Sequence, residues 1–495
     1  MKNYITVLPE NRVIEVARGE ILLDVLAQNG IFLPAACAGK GTCGKCRVRL
    51  IRGEVTGVCP DANGCFLSCH AVIKGDLTIE IGAQEGMGLN TFDTTEMIGD
   101  TEGTGVILDI GTTTLAAASV DLATGAIVRR CSSLNPQGVC GADVLTRIKA
   151  YIEGRGELLQ RLILEQTKEL LLELGVTDIK ELTIAANTTM LHLFLGVDPA
   201  TIGVYPFTPV FTDEQCRSGG ALGLPVGTVR LLPSVGAYIG SDITAGVLSV
   251  GMHRGTRTEL FVDVGTNGEI VLSHRGRLYA ASTAAGPALE GACIECGMGG
   301  IAGAIDHVAL KSGRITISTV GSVSARGICG SGLIDLIALL LREGLIDETG
   351  AWDTEADSFA IQYLRGDRFY LTEEIYLSQA DIRQFQLAKS AIAAGIGTLL
   401  SECDVTVNAV ETLYLAGGIG YYMDIRNAAE VGLLPRALTE KTRSVGNTAL
   451  AGARLCLLDA RMREEIARIA RGTTITELSF SDVFQDAYVE NMMFS

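Results

Sequence analysis

The chain has 495 residues, of which 47% are hydrophobic and 20% charged, so it can bury the cores of two or three domains. A formal net charge of −17 without any basic run argues against binding to nucleic acid or to acidic membrane surfaces. The start of the chain lacks the apolar stretch of a signal peptide, and no segment reaches the length of a transmembrane helix. We therefore expect a cytoplasmic protein with no membrane partner.

Cysteine usage favours one clustered metal site in a reduced protein over a disulfide scaffold, since the chain is long and rich in core residues. Six of the 14 cysteines fall between residues 37 and 69. The other eight are scattered, and we interpret them as small buried hydrophobic residues: Cys131, Cys140, Cys216, Cys293, Cys296, Cys329, Cys403 and Cys456.

Residues 1–83 are predicted to form a small domain rich in β-strands. The segments 5–9 and 12–17 are typical of a hairpin that turns at residues 10–11, and 20–29 of a short helix that ends at Gly30. Later strands are predicted over 45–55 and 76–81. A hairpin, a helix, a cysteine loop and further strands follow one another in the order expected of a β-grasp ferredoxin.

The cysteine loop, CAGKGTCGKC, places Cys37, Cys43 and Cys46 among glycines that let backbone amides point towards sulfur. Iron–sulfur clusters need four thiolate ligands, and a structural zinc site is the alternative for this spacing. Three later cysteines are candidates for the fourth ligand: Cys59, Cys65 and Cys69. We favour Cys69, because the last ligand of such [2Fe-2S] ferredoxins follows a short strand motif that CFLSC matches.

A Gly-, Thr- and acid-rich stretch at 84–104 is predicted to be a linker, after which strands and helices alternate as in α/β proteins. Within this part, residues 105–130 resemble residues 258–283: each segment has an apolar strand ending in Asp-x-Gly-Thr, a tight turn and two further strands. This internal repeat predicts a duplicated domain with halves at 105–254 and 255–495.

The two Asp-Gly-Thr loops are predicted to bind nucleotide phosphates. Glycine lets the backbone approach a phosphate, amides and hydroxyls can donate to its oxygens, and a carboxylate can hold Mg2+ or orient water. Asp109 and Asp263 are the catalytic candidates. The accompanying phosphate-binding candidates are Gly111, Thr112, Thr113, Thr114, Gly265, Thr266 and Asn267.

Two further glycine-rich corners fit the same predicted cleft. Gly417 and Gly418 follow a short apolar strand and suit adenosine and the α-phosphate. Gly330 and Ser331 precede an apolar helix whose N-terminus can meet phosphate, although close helix packing explains them equally well. The chain has no Walker A motif, so it is not a P-loop enzyme.

Taken together, these motifs resemble the reductive activators of corrinoid proteins, in which a [2Fe-2S] ferredoxin domain precedes an ATPase of the acetate and sugar kinase, Hsp70 and actin superfamily. The resemblance covers nearly the whole chain, although the usual Arg-Leu-Ala-Cys-Gln around the last ligand reads FLSCH here. Besides CAGKGTCGKC and GVILDIGTTT, it is carried by NPQGVCGADVLTRI (135–148), ANTTMLHLFLG (186–196), VDVGTNGEI (262–270), STAAGPALEGACIECGMGG (282–300), GICGSGLID (327–335), DIRQFQLAKSAI (381–392) and LAGGIG (415–420).

The resemblance implies an α/β chain with an N-terminal α+β β-grasp ferredoxin and a duplicated RNase H-like, actin-like ATPase. It also implies an enzyme that uses ATP to return an inactive Co(II) corrinoid to Co(I), with electrons from an external reductase and dimerisation through the ATPase part. Three alternatives remain at this point: a redox-sensing small-molecule kinase, an electron donor to another low-potential enzyme, and a binding module without turnover.

Three conspicuous residues have no decided role in the sequence. Asp143 and Asn187 stand in matching motifs near the expected cleft, where either can touch the metal, the nucleotide or the partner. Lys389 lies on a helix that Ser378 and Asp381 are predicted to cap, and a solvated helix face is the interpretation we prefer for it. His70 and His192 are expected to be structural.

Overall fold

The structure is a computed structural model that describes residues 3–8, 12–29, 31, 33, 46–60, 64–81 and 102–494. Cys37 and Cys43, the predicted hairpin turn at residues 10–11 and residues 84–101 of the predicted linker lie outside the described residues. Among the described helices, none combines the length and the apolar character that crossing a bilayer requires.

The N-terminal elements form a mixed sheet with one helix packed on it. Its strands run in the order β2-β1-β7-β3-β5, with β1 antiparallel to β2 and parallel to β7. Successive side chains of β1 point to opposite faces of the sheet, so Ile5 and Val7 are buried against Leu22 and Leu26 of the helix, as expected when a helix covers one face. The elements are β1 (Asn3–Leu8), β2 (Arg12–Val16), α1 (Leu22–Gln28), β3 (Arg47–Arg52), β4 (Val55–Thr56), β5 (Cys65–Leu67), β6 (Val72–Ile73) and β7 (Leu77–Glu80).

From Thr104 the chain forms a six-stranded sheet in the order β10-β9-β8-β11-β13-β12. Strands β8, β9 and β10 are an antiparallel meander, and β11 and β13 add in parallel to β8. The elements are β8 (Thr104–Ile110), β9 (Thr114–Asp121), β10 (Ile127–Leu134), α2 (Val144–Ala150), α3 (Gly156–Leu174), β11 (Ile179–Ala186), α4 (Thr188–Leu195), β12 (Gln215–Ser218), β13 (Val226–Leu231) and α5 (Ser241–Val250).

The remaining residues repeat this plan around a sheet in the order β24-β23-β14-β15-β16-β25. Strands β14, β15 and β16 are again an antiparallel meander, and β23 and β24 add in parallel. The elements are β14 (Glu259–Val264), β15 (Gly268–His274), β16 (Arg277–Thr283), β17 (Ala304–Lys311), β18 (Arg314–Thr319), β19 (Gly327–Ile328), α6 (Gly330–Arg342), β20 (Leu364–Arg365), β21 (Arg368–Tyr370), β22 (Tyr376–Ser378), α7 (Gln379–Glu402), β23 (Thr412–Ala416), α8 (Gly417–Tyr422), α9 (Ile425–Glu430), β24 (Thr442–Gly446), α10 (Thr448–Leu458), α11 (Ala460–Gly472), β25 (Thr473–Ile475) and α12 (Asp482–Glu490).

The equivalent strand orders confirm the duplication that the two Asp-Gly-Thr segments predicted, since each segment supplies the first strand of its own meander. The two halves meet through α5 and α10, which pack on each other between the sheets. Gly452 makes the approach possible, because a Cβ there would lie 2.1 Å from the carbonyl oxygen of Ala245. The N-termini of both helices consequently open onto the space between the halves.

Two interpretations made from the sequence are wrong. Lys389 is not on a solvated face: only 1% of it is exposed, its Nζ donates to the carbonyl of Met493, and it lies over the ring of Phe494. The capping box that Ser378 and Asp381 form at the start of α7 is confirmed.

The second error concerns the scattered cysteines, which were all interpreted as buried. Cys131, Cys140, Cys329 and Cys456 are buried, but Cys216 and Cys293 are exposed and Cys296 and Cys403 are partly exposed. The exposed ones lie on an edge strand and in a loop, where composition alone gives no indication of burial.

Candidate functional site

The first Asp-Gly-Thr loop is a tight turn between β8 and β9. Asp109 is the penultimate residue of β8, and the amide of Gly111 donates to the carbonyl of Thr114 at 2.9 Å, which closes the turn. A Cβ at Gly111 would lie 2.8 Å from that carbonyl oxygen, so the turn requires glycine. The loop therefore holds the Asp109 carboxylate and the hydroxyls of the three threonines at one end of the sheet.

Three polar side chains from behind hold this loop in place. Asn135 donates from Nδ2 to the carbonyl of Gly111 at 2.8 Å, and Arg147 donates from Nη2 to the carbonyl of Thr112. Asn187 donates from Nδ2 to Oγ1 of Thr112 at 3.2 Å. Arg147 is 1% exposed, and burial lowers its pKa to about 10. These three side chains, of Asn135, Arg147 and Asn187, fix the first loop and are called the clamp below.

The second loop repeats the arrangement between β14 and β15. The amide of Gly265 donates to the carbonyl of Asn267 at 3.0 Å, and Asp263 is again the penultimate strand residue. Gly417, at φ +86°, passes directly over this carboxylate, since a Cβ there would lie 2.6 Å from Oδ1 of Asp263. The predicted adenosine corner and the second predicted phosphate loop are therefore in contact.

The two loops converge on a single glutamate. Oε2 of Glu290 accepts a hydrogen bond from Oγ1 of Thr113 in the first loop and another from Oγ1 of Thr266 in the second, each at 2.8 Å. Thr113 and Glu290 belong to different halves of the duplication. The predicted phosphate loops thus face one another across one cleft.

Five carboxylates surround this cleft, and burial raises the pKa of each. The pKa is raised to about 7 for Asp109, about 6 for Asp242 and about 8 for Asp263, with burial the main cause in all three. Burial also raises the pKa of Glu269 and Glu290. In the described part of the chain, no three His, Cys, Asp or Glu side chains come close enough to hold a metal ion directly.

The N-termini of α5 and α10 face the same carboxylates. Asn447 caps α10 by accepting from the amide of Leu450, and its Nδ2 donates to Oδ2 of Asp109 at 2.8 Å. Asp242 lies in the first turn of α5. Helix N-termini favour negative charge, so both helices suit a cleft that is to receive phosphates.

The other glycine-rich corner lies at the side of the cleft. A Cβ on Gly330 would lie 2.0 Å from the carbonyl oxygen of Leu289, which precedes Glu290. Ser331 is buried, and its hydroxyl lies 3.4 Å from Sγ of Cys329. Close packing thus requires a glycine at this position, and the phosphate contact of Gly330 and Ser331 stays a prediction. Gly418, beside Gly417, is exposed.

Asp143 and Asn187, which the sequence left without a role, both cap helices. Asp143 forms a capping box with Thr146 at the start of α2, the helix that carries Arg147. Asn187 accepts from the amide of Met190 at the start of α4 while it holds Thr112. Both residues therefore contribute to the first loop through the elements that they position.

Two of the predicted cluster ligands lie in the described residues, and they are neighbours. Cys46 directly precedes β3 and Cys69 follows β5, and these strands pair so that the amide of Ser68 donates to the carbonyl of Cys46 at 2.9 Å. Both cysteines are buried. Cys65 lies at the opposite end of β5 and Cys59 is exposed.

Comparison with known proteins assigns three stretches of the chain to known domain families. Residues 5–74 match the 2Fe-2S iron-sulfur cluster binding domain, residues 104–255 the RACo middle region, and residues 257–495 the C-terminal ASKHA domain of RACo. The chain is 35% identical to the corrinoid activation enzyme RamQ of Eubacterium limosum, over 79% of this chain and 70% of that protein. The chain belongs to the reductive activators of corrinoid proteins.

Other similarities within this family of activators point the same way. The [Co(II) methylated amine-specific corrinoid protein] reductase of Methanosarcina barkeri is 25% identical over 78% of this chain and 76% of that protein. A solved reductive activator for a corrinoid, iron-sulfur protein superposes with a TM-score of 0.74 at 28% identity, covering 99% of this chain and 98% of that one. The predicted family, fold class and activase function are confirmed, with a [2Fe-2S] domain and a nucleotide-binding domain.

Several residues of this activator's cleft were missed from the sequence. Asn135, Arg147, Glu269 and Glu290 stand inside motifs that carried the resemblance, but the motifs do not show which side chains turn towards the loops. Asp242, outside those motifs, lies two residues after Gly240 at a helix start, which is only a weak indication of a site.

Proposed function

We propose that this activator uses MgATP in the cleft between its two halves to drive one electron from its [2Fe-2S] cluster to the Co(II) corrinoid of a methyltransferase system, which yields Co(I). The observation that carries the proposal is the convergence of the Thr113 and Thr266 loops, one from each half, in a chain that also carries a ferredoxin domain. A ligand whose phosphates bind to both loops necessarily couples its own binding to the relative position of the two halves.

The nucleotide phosphates are assigned to the two loops, and the adenosine to the corner at Gly417 and Gly418. Asp109 and Asp263 are proposed to bind Mg2+ through water and through the phosphates, a mode that Mg2+ prefers and that needs no direct cage of protein ligands. A divalent cation also offsets the repulsion among partly buried carboxylates. The proposed contacts are Gly111, Thr112, Thr113, Thr114, Gly265, Thr266, Asn267, Gly330, Ser331, Gly417 and Gly418.

The cluster ligands are proposed to be Cys37, Cys43, Cys46 and Cys69. The adjacent, buried positions of Cys46 and Cys69 suit two thiolates of one cluster. Cys65 lies at the other end of its strand, away from both. When bound, the cluster accepts and releases one electron at a time, at a potential near −400 mV for plant-type ferredoxins. The chain's own contribution is a sheet end that holds both thiols out of water.

ATP is needed because the Co(II) corrinoid is harder to reduce than the cluster. Each ~59 mV of shortfall in a one-electron transfer costs ~1.4 kcal/mol. Nucleotide binding in the cleft can offset this shortfall by stabilising the docked state of the partner, in which cobalt is easier to reduce. A cluster held by the four cysteines would supply the one electron that takes the partner's Co(II) to Co(I), and an external reductase would replace that electron.

We further propose domain boundaries at 1–83, 84–104, 105–254 and 255–495, a homodimer formed through the ATPase part, and a cytoplasmic location. A surface with a net charge of −17 supports the absence of nucleic acid or anionic lipid among the partners. Sedimentation of the purified protein tests the dimer.

The decisive experiment follows cobalt by visible absorption. A Co(II) corrinoid methyltransferase protein is mixed anaerobically with the activator and a reductant, with and without MgATP. The Co(I) band should form only with ATP. If ATP is consumed while cobalt stays Co(II) in every candidate partner, the electron acceptor is a different low-potential enzyme or the chain is a kinase.

A further inference from the structure

Glu290 is the one described side chain on which both phosphate loops close. Its Oε2 accepts the hydroxyls of Thr113 and Thr266 at 2.8 Å each, and the Thr113 bond crosses between the halves. Thr113 also belongs to the loop that Asn135 and Arg147 clamp from behind. Glu290 therefore joins two otherwise separate and individually rigid loops.

The backbone that carries Glu290 is held as firmly as the loops. It belongs to a turn in which Gly291 has φ +76°, and a Cβ on Gly291 would lie 2.5 Å from the backbone of Met298. On the other side, the carbonyl of Leu289 packs against Gly330 at the start of α6. The Glu290 side chain thus projects from a tightly packed turn towards the two threonines.

The two hydroxyls are the donors that a terminal phosphate would use. A carboxylate oxygen that accepts two hydroxyls resembles a phosphate oxygen in charge, size and acceptor capacity. Phosphates that enter between the loops must compete with Glu290 for Thr113 and Thr266, and they must do so next to its negative charge. Replacing Glu290 as the acceptor is therefore part of the binding of any nucleotide that reaches both loops.

We propose that Glu290 is a positioning residue that occupies the place of the terminal phosphate in the nucleotide-free protein, holds the two halves together through Thr113, and is displaced by ATP. The inference rests on the proposed binding of ATP in this cleft. Because Glu290 must be displaced, binding depends on the terminal phosphate. A nucleotide too short to reach the two threonines leaves the bridge that Thr113, Glu290 and Thr266 form intact.

The test is the affinity of the full-length, cluster-loaded protein for AMP, ADP and ATP with Mg2+, measured by calorimetry for wild type and Glu290→Gln. The amide keeps the shape of the side chain but loses the charge and is a weaker acceptor. We expect ATP to bind about tenfold more tightly to the variant, ~1.4 kcal/mol, while AMP changes less than twofold. Glu295→Gln is the matched control, because Glu295 lies five residues on, is exposed, and accepts from the hydroxyl of Tyr376.

A second measurement tests the bridge itself. In the nucleotide-free protein, Thr113→Val removes the bond to Glu290 and leaves the bond from Asn447 to Asp109 in place. Amide exchange of residues 111–115 and 265–269 should become at least several-fold faster, and Thr113→Ser should restore wild-type exchange. Equal affinities of Glu290→Gln and wild type for ATP, weaker ATP binding by the variant, or unchanged exchange in Thr113→Val would each overturn the inference. If wild type binds no ATP at all, the nucleotide function fails first, and that result is distinct from the others.

Discussion

Replacement of Arg147 should separate the positioning of the first phosphate loop from the chemistry in the cleft. Arg147 touches neither the predicted nucleotide nor the cleft carboxylates directly. Besides Sδ of Met190, its guanidinium donates to three oxygen acceptors: the carbonyl of Thr112, the carbonyl of Gly141 at 3.0 Å and Oε1 of Gln137 at 3.3 Å. Arg147→Lys keeps the charge but offers one compact ammonium group where a planar fork is needed.

The magnitude follows from the acceptors that lose their donor. A lysine reaches at most one or two of the three, and each buried acceptor left without a partner costs about 1–3 kcal/mol. We expect Arg147→Lys to lower the free energy of unfolding by about 3 kcal/mol, a large part of the 5–15 kcal/mol typical of folded domains. If the carbonyl of Thr112 is released, the loop loses its fixed position, and the KM for ATP should rise roughly tenfold.

The assays are denaturant unfolding of the nucleotide-free protein and ATPase kinetics of the cluster-loaded protein. Lys149→Met is the control, because Lys149 lies two residues further along α2 and is largely exposed beside Glu153. It should change stability by less than about 0.5 kcal/mol. The positioning role of Arg147 would be refuted if the Arg147→Lys variant had the stability and the ATP affinity of wild type. A lower kcat at unchanged KM would refute it as well.

Three further outcomes are expected. Cys69→Ser should lose the visible absorption of the cluster, whereas Cys65→Ser should keep it; the reverse pattern would make Cys65 the ligand. Asp263→Asn should abolish ATP-dependent formation of Co(I) while cluster absorption stays intact, which a spectrum with and without MgATP checks. Burial lowers the pKa of Lys389 to about 8, so the unfolded chain binds more protons above that pH. The free energy of unfolding should therefore rise by about 2 kcal/mol between pH 8 and 10.5, and Lys389→Met should flatten this rise in unfolding measured across that range.

The elements that the sequence predicted well are those whose pattern is local. Asp109 and Asp263 were found because an apolar strand, a carboxylate and a glycine turn lie within six residues of one another, and the structure places both at strand ends. The strand after the cysteine loop and the helix over 22–28 followed from their own periodicity. Glu290 was missed because its partners lie 177 and 24 residues away, so no window of the sequence contains the contact.

Lys389 shows the same limit for burial. Its helix, α7, has a capping box that the sequence revealed, and a lysine on such a helix is usually solvated. The covering elements arrive about a hundred residues later, when α12 packs along α7 and Met493 and Phe494 close over the ammonium group. Packing of the C-terminal residues therefore buries a lysine that its own helix would leave in solvent, and the sequence pattern of α7 does not indicate this packing.

The first phosphate loop has a physical connection to the ferredoxin domain as well as to the second half. Helix α1 packs against the 3-10 turn Pro136–Val139, which directly follows Asn135 of the clamp. Burial and, to a smaller extent, the carboxylate of Asp24 on α1 raise the pKa of the Cys140 thiol at the end of this turn. Asn135 joins the turn directly to the loop, and Gln137 joins it through Arg147, so the first phosphate loop and the surface against which α1 packs share one set of buried hydrogen bonds. The ferredoxin domain and the first phosphate loop are therefore connected through a buried polar clamp.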